Sequence, residues 1–113
     1  MPQAALELDR MLLALADPGR RGMVEQLSRG PASVKDLAQP ANMRLPSAVK
    51  HLRVLEDGGI VVSRKVGRVR TYSMRPRALA PLSDWMRERE HALNAAFDRL
   101  AQAIEAFPEE SQS

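Results

Sequence analysis

The period of the apolar residues changes once along this chain, and that change restricts the fold more than any other feature. Through LPSAVKHLRVLED, residues 45–57, Ala48, Leu52 and Leu55 fall at helical spacing, with Lys50, Arg53 and Glu56 facing out. Gly58-Gly59 then stops the helix, because glycine enters the left-handed conformation at a helix C-terminus without a Cβ penalty. Beyond the two glycines the period drops to 2. IVVSRKV and VRTYSM are rich in β-branched residues and are separated by Gly67-Arg68, which predicts a hairpin with Lys65, Val66, Gly67 and Arg68 at its tip. A two-stranded hairpin is marginal alone, so Ile60, Val62 and Tyr72 are expected to pack against helices.

The flanking segments read as helices. ALELDRMLLALA places Leu8, Leu12 and Leu15 at helical spacing beside Leu6, Met11 and Leu13, a first helix that needs cover on more than one side. Asp17-Pro18 restarts the chain: Asp caps an N-terminus, and Pro fits the first helical position, where its missing N–H has no partner to lose. This second helix is predicted to run to about Ser28 with Met23, Val24 and Leu27 inward, and Gly30-Pro31 ends it. Ser33 caps a short third helix with Asp36 three residues on and Val34, Leu37 and Ala38 as its apolar face, and Pro40 stops it. Pro76 and Pro81 bracket a short turn of helix, and a long helix follows from Pro81 to about Phe107. Along it Met86, Leu93, Phe97, Leu100, Ile104 and Phe107 keep heptad spacing, the narrow seam that a helix presents to another helix. The polar tail, 108–113, is expected to fray.

Helix, helix, helix, turn, helix, two-stranded ribbon, helix is the order of a winged helix-turn-helix. The expected fold is therefore mainly α with a two-stranded β wing, one domain over 1–113. Its helix-turn-helix spans 33–57, its wing 60–75, and the helices 1–16 and 81–107 are left for dimerisation. Charge follows the same map. Residues 44–77 carry nine Lys and Arg against two acids, a formal +7, whereas residues 1–43 are neutral and residues 78–113 stand at −4. A basic segment this concentrated, mounted on a helix and a hairpin, is the footprint of a surface that meets polyphosphate.

Composition removes other classes. Cysteine is absent, which excludes disulfides, thiolate metal sites and cysteine nucleophiles. The only histidines, His51 and His91, lie in no nucleophile elbow, metalloprotease-type helix or phosphate loop, so no enzyme is expected. No apolar run approaches the roughly 20 residues of a membrane span, and the expected compartment is the cytoplasm, with no membrane partner.

In ALADPGRRGMVEQL, in SVKDLA followed by LPSAVKHLRVLEDGGIV, and in the wing SRKVGRVRTYSM, the chain resembles the ArsR/SmtB type of bacterial transcriptional regulators, over roughly residues 6–105. The late DWM helix makes it most similar to the cysteine-poor branch without a recognised metal site. The resemblance implies a homodimer, joined through its first and last helices, that binds an imperfect inverted repeat in double-stranded DNA and represses transcription. The interface residues would be Leu8, Leu12 and Leu15 with Met86, Leu93, Phe97, Leu100 and Ile104. Where many relatives have Ser at the start of the recognition helix this chain has Arg44, so a side-chain cap worth about 1 kcal/mol is expected to be missing. A cation stands there instead, where a phosphate can approach.

On the recognition helix, Ser47, Val49 and Lys50 occupy the N-terminal half that reaches base edges in the major groove, with Arg53 a turn further on. Val49, where relatives often carry Ser or Thr, meets a thymine methyl or turns inward beside Leu52. His51, part of the KHL signature, is either a DNA contact or a partly buried imidazole satisfied by backbone. Arg64, Lys65, Arg68 and Arg70 are expected to clamp phosphates or enter the minor groove. Arg20 and Arg21 have two open readings, phosphate contact or pairing with acids. The rival of a different class is a helical module that uses the winged domain to bind a protein. Against it, a protein-binding face more often shows aromatic or apolar anchors than a +7 charge in 34 residues.

No cofactor or metal is expected. Asp84, His91, Asp98 and Glu105 recur every seven residues, which separates neighbours by about 10 Å along the axis, too far to share one ion. Relatives with zinc on this helix use an Asp-x-His pair and a His-x-x-Glu or His-x-x-His pair, whereas here Met86 and Asn94 hold the second positions. Control is left to protein abundance, an unknown small molecule or a partner protein.

Overall fold

The computed structural model describes residues 3–106. Phe107, placed in the seam above, and the tail at 108–113 lie outside the described residues. Two units make up the chain, one reaching Leu82 and the other beginning at Ser83. The first holds α1 (Gln3–Leu15), α2 (Pro18–Leu27), β1 (Ala32–Ser33), α3 (Val34–Ala38), α4 (Leu45–Asp57), β2 (Val61–Val66) and β3 (Val69–Met74). At its end begins α5 (Ala80–Ala106), which makes up the described part of the second.

Local chemistry sets these boundaries. The Asp17 carboxylate accepts the backbone N–H of Arg20 at 3.0 Å and caps α2, with Pro18 directly behind it. The Ser33 hydroxyl likewise accepts the N–H of Asp36 at 3.2 Å and starts α3. At the other end of α4, the N–H groups of Gly58, Gly59 and Ile60 return to the carbonyls of Val54, Glu56 and Leu55 at 2.9, 2.9 and 3.0 Å. Gly59 takes φ +75°, the left-handed conformation that lets this closure form.

The closure delivers Ile60 into the core. Ala48, Leu52, Leu55 and Ile60 are fully buried, surrounded by Met11, Ala14, Met23, Leu27, Leu37, Val61 and Tyr72. Each buried Leu or Ile stabilises the fold by about 1.5–3 kcal/mol relative to an exposed one, so α4 is held chiefly by this cluster. No polar or charged residue is buried among the described residues.

The β part differs from the expectation in three ways. A third strand exists: β1 pairs antiparallel with β3, Ala32 opposite Tyr72 and Ser33 opposite Thr71, giving the order β1-β3-β2. It backs the β2–β3 hairpin with a strand that immediately precedes α3. Second, Val62 is 40% exposed and Val61 takes the inward place, because Val61 is registered opposite Met74 and Ser63 opposite buried Tyr72. Third, the tip is tighter than four residues. Val66 pairs with Val69, leaving Gly67 and Arg68 as a two-residue turn, and Gly67 has the φ of +63° that the first position of such a turn requires. Residues 76–79 form turns and not a turn of helix, with Arg77 at φ +56°, and α5 starts at Ala80, one residue ahead of Pro81.

From Ser83 on, α5 has no buried residue in this structure. Met86, Leu93, Phe97, Leu100 and Ile104 are all about half exposed or more. Its polar side chains interact locally: Arg87 meets Asp84 at 3.4 Å, and the Arg89 guanidinium lies 5.5 Å from the centre of the Trp85 ring.

Candidate nucleic-acid interface

The recognition surface begins at an open helix N-terminus. Arg44 occupies the N-cap of α4 in extended conformation and makes no side-chain cap bond, so the first-turn N–H groups are left for an external acceptor. The helix dipole and the Arg44 cation both favour an anion there. Ser47, Val49, Lys50 and Arg53 are exposed along α4, while Ala48, Leu52 and Leu55 anchor its opposite face. Val49 is 37% exposed, so it lies outward with its neighbours and not inward beside Leu52.

Between α4 and the sheet lies a cleft of about 390 Å³ lined by Val34, Val49, Arg53, Glu56, Ser63, Arg70 and Tyr72. Arg70 donates to the Ser63 hydroxyl at 2.8 Å, and Ser63 donates onward to Glu56 at 3.4 Å, joining the wing to the recognition helix. Beneath them burial pushes the Tyr72 hydroxyl above its ordinary value, with the Glu56 charge adding to it and Arg70 and Arg53 opposing.

The wing cations do not form one set. Lys65 is registered directly opposite Arg70, which puts both on the face that carries Ser63 and Tyr72. Arg64 pairs with Thr71 on the other face, and Arg68 stands at the tip. Two cations opposed across strands repel each other, and an anion placed between them removes that cost. Among the described residues the ion pairs are His51 with Asp17, Arg87 with Asp84 and Arg89 with Glu88. None of the nine Lys and Arg between 44 and 77 is therefore within 4.0 Å of a carboxylate of the described residues.

Three residues behave differently from their neighbours. His51 is half-buried and faces α2, where its Nδ1 lies 3.1 Å from Nη1 of Arg20 and 3.9 Å from Asp17. Of the two readings left open for His51, DNA contact or a partly buried imidazole satisfied by backbone, the partial burial is seen, with a side chain in place of backbone at Nδ1. Arg20 donates from Nε to Ala14 O at 2.6 Å and from Nη2 to Leu13 O at 3.1 Å; Arg21 donates to Leu15 O at 2.8 Å. Both arginines thus cap the C-terminus of α1, whose last carbonyls have no helical N–H to accept, and neither of the two sequence readings described this. The signal was present in ALADPGRR, where a helix end precedes two arginines by a few residues.

The helix-turn-helix domain family model matches residues 15–64, from the end of α1 through α4 into β2. Over 74 residues the chain is 40% identical to the HTH-type transcriptional regulator Rv2034 of Mycobacterium tuberculosis, covering 66% of this chain and 69% of the relative. The crystal structure of the ArsR family transcriptional regulator RHA00566 superposes with a TM-score of 0.75 at 40% identity, over 83% of this chain and 97% of that one. The chain belongs to the ArsR/SmtB-type winged helix-turn-helix regulators. This regulator is mainly helical with a small antiparallel β-hairpin, as a winged helix-turn-helix is. A third comparison is the solution structure of the homodimeric winged helix-turn-helix DNA-binding domain of a possible ArsR-family regulator from Mycobacterium bovis. It is 28% identical with a TM-score of 0.63, over 80% of this regulator and 87% of that chain.

Proposed function

We propose that this regulator is a sequence-specific DNA-binding repressor that acts as a homodimer on an imperfect inverted repeat, its own promoter among the targets. The observation that carries the reading is the set of unpaired cations on α4 and the wing, arranged around a helix with an uncapped N-terminus. Ser47, Val49 and Lys50 read base edges, Arg44 and Arg53 meet flanking phosphates, and Arg64, Lys65, Arg68 and Arg70 hold backbone phosphates or the minor groove. Repression follows from occupancy of the promoter. A protein-binding role for the winged domain is not favoured, since residues 44–77 carry a formal +7 and expose no aromatic anchor.

The homodimer reading rests on the seam Met86, Leu93, Phe97, Leu100 and Ile104, exposed at heptad spacing, and on Leu12, which is 45% exposed on α1. Leu8 and Leu15 are half-buried and have area left to cover. Apolar side chains repeated in this way mark a protein–protein contact, and the homodimer named for the Mycobacterium bovis relative agrees with it. No helix among the described residues is long and apolar enough to cross a membrane. No group of three or more His, Cys, Asp or Glu that could hold a metal ion occurs among them. From the seven-residue spacing of Asp84, His91, Asp98 and Glu105 along α5, we read the regulator as sensing no metal through a site of its own.

Retention of fragmented genomic DNA on the purified protein tests the function. Binding should weaken steeply as salt rises, because displaced counterions drive it, and micromolar zinc, nickel or copper should leave the complex intact. Lack of retention even at low salt would refute DNA binding, and release by metal, abolished by His91→Ala, would refute the metal-free reading.

A further inference from the structure

We propose that Arg20 is a positioning residue for DNA reading: its guanidinium ties the C-terminal carbonyls of α1 to His51 on the recognition helix, with Nδ1 of His51 as the acceptor of that tie. The inference rests on the reading of α4 as the DNA-binding helix. It starts from the donor chemistry of arginine. A guanidinium carries five N–H donors and no acceptor, so the 3.1 Å contact between Arg20 Nη1 and His51 Nδ1 has only one direction. Nδ1 accepts, and the imidazole proton belongs on Nε2. Asp17 does not compete for Nδ1, since its carboxylate is 3.9 Å away and is engaged by the Arg20 backbone N–H at 3.0 Å.

The same guanidinium places Nε and Nη2 on Ala14 O and Leu13 O, at 2.6 and 3.1 Å. One planar group thus spans three elements: the end of α1, the first turn of α2 and the second turn of α4. Its position is fixed from both sides, because Ala14 is fully buried and Leu52, the residue after His51, is too. Lys50, which precedes His51, is exposed, on the surface that the reading above gives to DNA. A shift of α1 is therefore felt at the base-reading turn, and loss of the tie loosens the aim of Lys50 without removing a charge from the DNA surface. A lysine cannot substitute, since a single ammonium lacks the fork that holds two carbonyls and an imidazole together.

Two measurements test this. In the free protein above about pH 7.5, where an ordinary imidazole is neutral, two-bond ¹⁵N–¹H correlation should show His51 with its proton on Nε2, and Arg20→Lys should shift that signature. A proton on Nδ1 in the unmodified protein would overturn the tie. On operator and random DNA, Arg20→Lys and His51→Phe should each lower the preference for operator roughly ten-fold, the scale of one hydrogen bond to a charged group, with an unchanged salt slope. His51→Asn, which keeps an acceptor near the Nδ1 position, should restore most of it. If Arg20 instead contacts a phosphate, Arg20→Lys will keep operator preference, and if His51 touches a base, His51→Asn will fall as far as His51→Phe; either result defeats the proposal. An unmodified protein that binds no DNA would refute the underlying reading, and the positioning role with it, while the tautomer still decides the contact.

Discussion

Lys50 on the second turn of α4 and Arg68 at the tip of the wing carry the same charge in different surroundings, and their substitutions separate reading from clamping. Lys50→Ala should cost about 1–3 kcal/mol on the operator and less on random DNA, whereas Arg68→Ala should weaken both alike and reduce the salt slope by about one. Titrations of both DNAs at several salt concentrations measure this, and equal losses for the two variants on both DNAs would contradict the division of roles. Asp17 offers a test by pH. The backbone N–H of Arg20 holds its carboxyl below the ordinary carboxylate value; burial opposes this, and the charges of His51 and Arg20 and the N–H of Gly19 reinforce it. A carboxyl with a lowered folded-state value adds stability above its unfolded value and loses it as pH falls through the folded one. Urea midpoints should therefore decline on acidification below about pH 4, and less steeply in Asp17→Asn. An identical decline in both proteins would remove Asp17 from the acid response.

The recognition helix is an element built without its N-terminal side-chain cap, and that defect is measurable. Arg44→Ser should supply the missing bond and raise stability to chemical denaturation by about 1 kcal/mol, while weakening DNA binding through the lost cation. A variant that is less stable, or that binds DNA more tightly, would argue against both roles given to Arg44. The elements that could be read from sequence are those set by neighbours in the chain. Asp17-Pro18, Ser33 and Gly58-Gly59 act within a turn, and the faces of α2 and α4 follow from spacing alone. What escaped depends on distant partners. Ala32 and Ser33 are a strand only because Tyr72 and Thr71 lie beside them. The run Ile60-Val61-Val62 has no alternation to phase it, so the pairing of Val61 with Met74 decides which valine is inside. The unpaired cations of the site were legible as a charge count; the placement of Lys65 against Arg70, and of His51 against Arg20, required the tertiary structure.

At the scale of the whole molecule, the proposed reading joins the exposed seam of α5 and the basic segment 44–77 in one design, in which two copies would present two recognition helices to one duplex. Leu100→Arg would set a charge within the seam and should destabilise association by several kcal/mol, visible as a monomer by sedimentation. A folded monomer for the unmodified protein at micromolar concentration would speak against the dimer. Symmetry then dictates the DNA. Twofold-related recognition helices enter major grooves about 34 Å apart, one turn of the duplex, so each operator should be a pseudo-palindrome with half-sites about ten base pairs apart. Sequencing the genomic fragments that the purified protein retains, followed by footprinting of the most enriched one, reads this out. A shared inverted repeat protected on one face of the duplex is the expected result. Enrichment of no common sequence, or protection of a single asymmetric half-site, would contradict a dimeric sequence-specific repressor.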